Sequence, residues 1–234
     1  MGMTGKLKEE SERGQGFPSA YSRRWQYWKD VSEEEWNDWK WQLRNSIRSA
    51  GQLGKIFPLT EKEAQAVAEV EKVYPLWITP HYLSLIDPND PADPVRLQAI
   101  PQEAEIIYGS ELPEDPLEEE VDAPVAGLTH RYPDRVLMIL TDFCSTYCRH
   151  CTRKRLFRKD VARKAYPLEP MLQYLRSHKK VREVILSGGD PLTYSNSRLE
   201  EIFRKLRQIP HIEIIRLGSR VPVTLPQRLF DEDL

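Results

Sequence analysis

The hydrophobic pattern changes twice along the chain. Up to about residue 20 there is no periodicity, only a polar stretch rich in Gly, Ser, Lys and Glu, so residues 1–20 are expected to form a flexible tail. Ser32-Glu-Glu-Glu35 then has the form of a capping box, in which the serine oxygen accepts an orphan backbone N–H and Glu35 reaches back. Trp36, Trp39, Leu43 and Ile47 follow at helical spacing and predict one helix of three to four turns. Thr60-Glu-Lys-Glu63 is a second capping box, ahead of Ala64, Val67 and Val70. Five of the six tryptophans fall between Trp25 and Trp41, which predicts an aromatic core for a helical layer; the alternative is a docking face for a second subunit. From Tyr74 to about Leu128 prolines break every periodicity and predict an ordered but irregular wrap. Its acidic stretch, Glu111 to Glu120, is expected to be a solvated connection.

After Tyr132 the period changes again. Val136-Leu-Met-Ile-Leu140 is a continuous apolar run of strand length. Met171, Leu172 and Leu175 predict an amphipathic helix, Val181–Leu186 a second strand, Leu199, Ile202, Phe203 and Leu206 a second helix, and Ile212–Leu217 a third strand. Strands alternating with helices imply parallel pairing through right-handed crossovers. Three polar segments then fall at strand C-termini: the loop after Leu140, Ser187-Gly-Gly-Asp190, and Gly218-Ser-Arg220. That is the face where parallel α/β barrels place their chemistry. Three strands cannot close a barrel, so the chain is expected to be the front part of a longer protein or to need a partner.

Composition narrows the class. Apolar residues make up 40% and charged residues 30% of 234, the profile of a globular protein, and a net charge of −2 gives no field for nucleic acid or anionic lipid. No apolar run approaches the roughly 20 residues that span a bilayer, and the start of the chain lacks the apolar segment of a secretory signal. The chain is expected in the cytoplasm, with no nucleic-acid or membrane partner.

All three cysteines lie in one segment, Cys144-Ser-Thr-Tyr-Cys148-Arg-His-Cys151. A C-x3-C-x2-C cluster suggests one polydentate metal site, and three thiolates leave a four-iron cluster one ligand short, with an open iron. A zinc knot completed by His150 or His130 is the alternative; closed zinc sites usually pair two short knuckles across a longer loop, whereas here all three thiols share one loop. Ser187-Gly-Gly-Asp190 is a tight turn on its own. Beside the cysteines, its two bare residues would let a ligand approach the backbone while Asp190 accepts from an ammonium. Arg131, Arg135, Arg149, Arg153, Lys154 and Arg155 bracket the strand and the cysteine loop, and at one barrel mouth they would suit phosphate and carboxylate recognition.

From about Trp25 to Arg228 the sequence resembles the lysine 2,3-aminomutase family of the radical S-adenosylmethionine superfamily. The resemblance is carried by Trp36-Asn-Asp-Trp-Lys-Trp-Gln-Leu-Arg-Asn45, Tyr82-Leu-Ser-Leu-Ile-Asp-Pro-Asn-Asp-Pro91, and Gly127-Leu-Thr-His-Arg-Tyr-Pro-Asp-Arg135. It continues through the cysteine loop with Thr152-Arg153, then Ser187-Gly-Gly-Asp190, and Gly218-Ser-Arg-Val-Pro-Val-Thr-Leu-Pro-Gln-Arg228.

The resemblance implies an α/β fold: a helical, irregular region over residues 21–129, then the first three β/α units of a partial (β/α)6 radical-SAM barrel over 130–234, truncated. It implies that Cys144, Cys148 and Cys151 hold a [4Fe-4S] cluster whose open iron chelates S-adenosylmethionine, with Ser187, Gly188, Gly189 and Asp190 at the methionine ammonium. Arg131, Tyr132 and Arg135 would face the phosphate of pyridoxal 5′-phosphate, with His150 nearby, and Arg153 the α-carboxylate of the amino-acid substrate. The implied reaction is radical migration of the lysine 2-amino group to C3, giving β-lysine. It is started by one electron from a donor such as flavodoxin or ferredoxin, in an enzyme that is a homo-oligomer when full length. Glutamate 2,3-aminomutase and the lysine aminomutase that serves translation-factor modification share these motifs. The family's Schiff-base lysine lies in a glycine-rich segment beyond Leu234, so no catalytic lysine is expected here and the chain alone is not expected to complete the reaction. A non-catalytic zinc module or an inactive fragment are the readings from other classes.

Overall fold

The computed structural model describes residues 24, 26–109, 111–160 and 166–234; the expected tail and Trp25 lie outside the described residues. The first capping box forms as the sequence predicts, with Glu35 N–H donating to Ser32 Oγ and Ser32 N–H donating back to the Glu35 carboxylate. The single long helix does not. It splits into α1 (Glu33–Asn37) and α2 (Trp39–Arg44), because Asp38 between them is extended (φ −76°, ψ 110°). The Asp38 N–H closes α1 on the Glu34 and Glu35 carbonyls, while its carboxylate accepts from Lys40 N–H and opens α2. Ile47 leaves the helix altogether and pairs with Ile78 in an isolated antiparallel bridge.

Two further helices, α3 (Ala50–Ile56) and α4 (Glu61–Val73), complete this layer, α4 starting on the predicted Thr60 capping box and burying Val67 and Val70. The proline-rich wrap holds more helix than expected: α5 (Pro80–Ser84), α6 (Pro94–Ala99) and α7 (Ala104–Ile107). In α5 and α6 the proline occupies the first helical position behind a Thr79 or Asp93 cap, where a missing N–H costs nothing. These segments share one apolar core that includes Leu53, Phe57, Val67, Ile78, Tyr82 and Ile100.

The second core lies under a four-stranded sheet of order β1 (Leu128–Tyr132), β2 (Arg135–Thr141), β3 (Glu183–Gly188) and β4 (Ile214–Leu217). β2, β3 and β4 are parallel as predicted. β1 is antiparallel to β2 and was not predicted: its residues Leu-Thr-His-Arg-Tyr carry no strand periodicity, and only Leu128 is fully buried. The helices α8 (Leu168–Ser177) and α9 (Asn196–Arg207) fill the crossovers and bury Met171, Leu172, Leu175, Leu199, Ile202 and Leu206. Val136, Met138 and Leu140 share one face of β2 and join this core. Val181 and Ile212 are buried but stand just ahead of β3 and β4.

A short helix α10 (Val221–Thr224) follows β4, and the two layers meet there. Trp39 and Leu43 of α2 pack on a small cluster that includes Leu192, Leu199, Val221 and Leu225. Trp39 Nε1 donates to Asp231 at 2.9 Å, beneath the guanidinium of the fully buried Arg228. Trp36, also buried, and Trp39 thus serve as core and seam residues, as the aromatic-core reading requires.

Candidate functional site

The parallel strands end on one side of the molecule, and the cysteine loop starts three residues after β2. It is held from both layers. Tyr147 N–H donates to the Trp77 carbonyl and Arg149 N–H to the Gln98 carbonyl at 2.9 Å, while the Ser145 and Thr224 hydroxyls are 2.7 Å apart. The Tyr147 ring packs on Phe157, in the short 3-10 turn that ends the loop. A loop anchored so widely keeps its three side chains in a fixed relation.

All three cysteines are free thiols and half-buried. Burial pushes the Cys144 thiol well above its ordinary value, with neighbouring Asp190 and cysteine charges adding to the shift, and it raises the Cys151 thiol against the lowering effect of Arg153. A cation bound at Cys144 and Cys151 would offset that cost and release their protons. The donor set suits an iron–sulfur cluster, whose cysteines each bind a different iron. Closed mononuclear zinc sites usually pair two short knuckles across a longer loop, whereas these three thiols share one loop. His130, one fourth ligand of the zinc alternative, is instead on β1, with Nδ1 2.7 Å from the Tyr174 hydroxyl.

Ser187-Gly-Gly-Asp190 lies directly against this loop. Gly188 adopts φ +123°, and a Cβ there would stand 2.5 Å from the Thr141 carbonyl oxygen. A Cβ on Gly189 would stand 2.3 Å from the Phe143 carbonyl oxygen. The bare positions are thus filled by the backbone leading into Cys144, not by open space for a ligand. Asp190 also departs from expectation. Its carboxylate accepts from Leu192 N–H, Ser219 Oγ, Arg220 N–H at 2.7 Å and Val221 N–H, so it is committed to tying the β3 loop to the β4 loop. Burial nevertheless raises its pKa above the usual carboxylate value.

The loop cations are paired within the chain. Glu119, buried in the acidic stretch expected to be solvated, grips Arg153 side-on, with Nε 2.9 Å from both carboxylate oxygens and Nη2 2.6 Å from Oε1. The other end of Arg153, Nη1, faces the Ser187 hydroxyl at 3.4 Å. Arg155 contacts Asp115 and Glu119. Glu105 of α7 takes both Arg149 and Lys154; burial raises its pKa, but the two cations outweigh that and hold it below the usual range. His150 is held below its ordinary pKa by burial and by Arg220.

Arg131, Tyr132 and Arg135 do not join the cysteines. They sit on the β1–β2 hairpin at the opening end of β2, six residues before Thr141 or about 20 Å at strand rise, and all three are exposed. Arg131 pairs with Asp122, and Arg135 with Asp134. The expectation of one mouth for all the cations fails because the antiparallel hairpin turns these residues to the opposite edge. Sequence reasoning also missed Tyr82, Gln98, Glu105 and Glu119 as neighbours of the loop; they lie in the irregular wrap, where no periodicity marks a facing direction.

The sequence from the middle of β2 onward is similar to a known family. The Radical SAM superfamily model matches residues 138–234, from the middle of β2 onward. The chain is 53% identical over 212 residues to L-lysine 2,3-aminomutase of Clostridium subterminale, covering 90% of this chain and 51% of that protein. Over about nine tenths of its length the chain is similar to members of the lysine 2,3-aminomutase family. Other members of this aminomutase group that it resembles are L-lysine 2,3-aminomutase of Bacillus subtilis, 46% identical over 92% of this chain and 46% of that protein, and glutamate 2,3-aminomutase of Clostridioides difficile, 42% identical over 86% and 48%. The chain spans about half the length of these relatives. Among the described residues no helix is long and apolar enough to cross a membrane.

Proposed function

We propose that this chain is the cluster-bearing part of a radical S-adenosylmethionine 2,3-aminomutase, with L-lysine as the amino acid rearranged. The observation that carries the proposal is the loop of three free thiols, anchored by both cores and backed by the Gly-Gly turn of β3. On this reading Cys144, Cys148 and Cys151 hold a [4Fe-4S] cluster and leave one iron for S-adenosylmethionine. The cluster and its sulfonium ligand, when bound, supply one-electron radical initiation.

The chain's own residues then have distinct tasks. Ser187 and the Gly-Gly backbone form the wall beside the cluster, and Asp190 fixes that wall to the β4 loop. Arg153 presents Nη1 toward the same wall, where it would meet the carboxylate of an amino acid. A planar fork held on one edge by Glu119 leaves its end-on edge for a second carboxylate, which a lysine could not offer. Among the described residues Arg131, Tyr132 and Arg135 lie at the opening end of β2 and His150 within the cysteine loop, so these four do not converge on one pyridoxal phosphate. The sheet and its crossovers are read as the opening β/α units of a (β/α)6 barrel over 130–234, with 21–129 as the bracing region. We place the protein in the cytoplasm, where three thiols stay reduced and a ferredoxin- or flavodoxin-type donor can reach it. Lysine is preferred over glutamate because the named lysine enzyme shares 53% identity with this chain and the glutamate enzyme 42%.

Anaerobic reconstitution tests the proposal. The chain should take up about four irons and four sulfides, and Cys148→Ala should lose both the iron and reductive cleavage of S-adenosylmethionine. Stoichiometric tight zinc in place of iron would overturn it.

A further inference from the structure

Arg220 reaches from the β4 loop to the cysteines. Its Nη1 donates to Cys148 Sγ, while Nη2 donates to the Tyr82 hydroxyl at 2.9 Å and to Gln98 Oε1. The guanidinium stands over the Tyr82 ring, 5.6 Å from its centre. The Arg220 backbone N–H is fixed in turn by Asp190, and Gln98 also accepts from the Arg149 amide within the cysteine loop. The cation is thus pinned by two helices of the first layer, α5 and α6, and by the β3 loop. A surface arginine would have none of these restraints.

Resting on the cluster reading above, we infer that Arg220 is a positioning residue that sets the reduction potential of the cluster through its charge-assisted hydrogen bond to the Cys148 sulfur. The redox step is one electron passing from a low-potential one-electron donor to cluster iron; no bond breaks and no proton moves. Reduction adds one negative charge to a group already anionic from three thiolates. A fixed guanidinium at a ligand sulfur stabilises that reduced form more than the oxidised form, in a partly buried site where charges are poorly screened. The potential is therefore raised, within easier reach of a biological donor.

The test is a spectroelectrochemical titration of the anaerobically reconstituted chain. Arg220→Gln and Arg220→Met should shift the reduction equilibrium at least about tenfold toward the oxidised cluster, a fall of about 59 mV for one electron. Arg220→Lys, which keeps the charge without the fork, should fall by less. Gln98→Leu, which frees the guanidinium but leaves it in place, should move the potential the same way and covers the case in which an Arg220 variant does not fold. Arg216→Gln is the control: Arg216 lies on β4 but pairs with Glu183 at 2.8 Å, and its loss should leave the potential unchanged. Clusters of wild-type potential in Arg220→Gln or Gln98→Leu would overturn the inference. Failure of the wild-type chain to build any cluster would instead overturn the functional proposal beneath it.

Discussion

Single residues decide how closely the cysteine loop can approach its neighbour. Gly189 faces the backbone of Phe143, which cannot swing aside as a side chain could. Gly189→Ala should cost roughly 1–3 kcal/mol and lower the denaturation midpoint. Gly54→Ala, in the exposed part of α3 with nothing within 4 Å of the new methyl, should stabilise by about 0.5–1 kcal/mol. Equal effects of the two substitutions would show that the close approach is not real. His81 is a second residue-scale case. Burial pushes its pKa down to about 4 from 6.5, so the folded chain keeps the imidazole neutral where the unfolded chain protonates it. The stability this contributes is complete above pH 6.5 and is lost as the pH falls toward 4, by at most roughly 3 kcal/mol. The wild type should therefore lose stability faster than His81→Gln over that window in denaturant titrations; parallel curves would contradict the assignment.

At the scale of elements, the clamp on the cysteine loop is electrostatic as well as apolar. Glu105 on the four-residue α7 holds Arg149 and Lys154, and all three side chains are largely buried. Replacing Glu105 with Leu leaves Arg149 buried without its partner, at a cost on the order of 3 kcal/mol. The same variant should lose iron faster on exposure to air; unchanged stability and cluster lifetime would show α7 to be incidental. What the sequence made legible follows from periodicity. The buried runs of β2 and β3 and the stripes of α8 and α9 are long enough to declare themselves, and the half-buried β4 follows from its place after α9. The Asp38 break was hidden because Trp36, Trp39 and Leu43 keep helical spacing across it, and only the competing cap chemistry of one aspartate reveals it. The site was legible where chemistry is local, in three cysteines within eight residues. Its partners Tyr82, Gln98, Glu105 and Glu119 were not, because they arrive from 25 to 62 residues upstream of Cys144 through a wrap whose folding depends on tertiary contacts.

In the whole molecule, two apolar cores are stitched together at α2, α10 and the cysteine loop, so the candidate cluster sits on the seam. That position explains why a half-buried trio of thiols can be held without a disulfide, and why one layer supplies the sulfurs while the other supplies Tyr82 and Gln98. It also predicts linkage: cluster binding should stabilise both layers together, and the reconstituted chain should melt in one transition above that of the metal-free chain. The most direct test of the account is Mössbauer spectroscopy of the iron-57 reconstituted chain with and without S-adenosylmethionine. The account predicts a four-iron cluster in which one iron becomes distinct from the other three when S-adenosylmethionine is added. Four irons that remain alike, or no cluster at all, would contradict it.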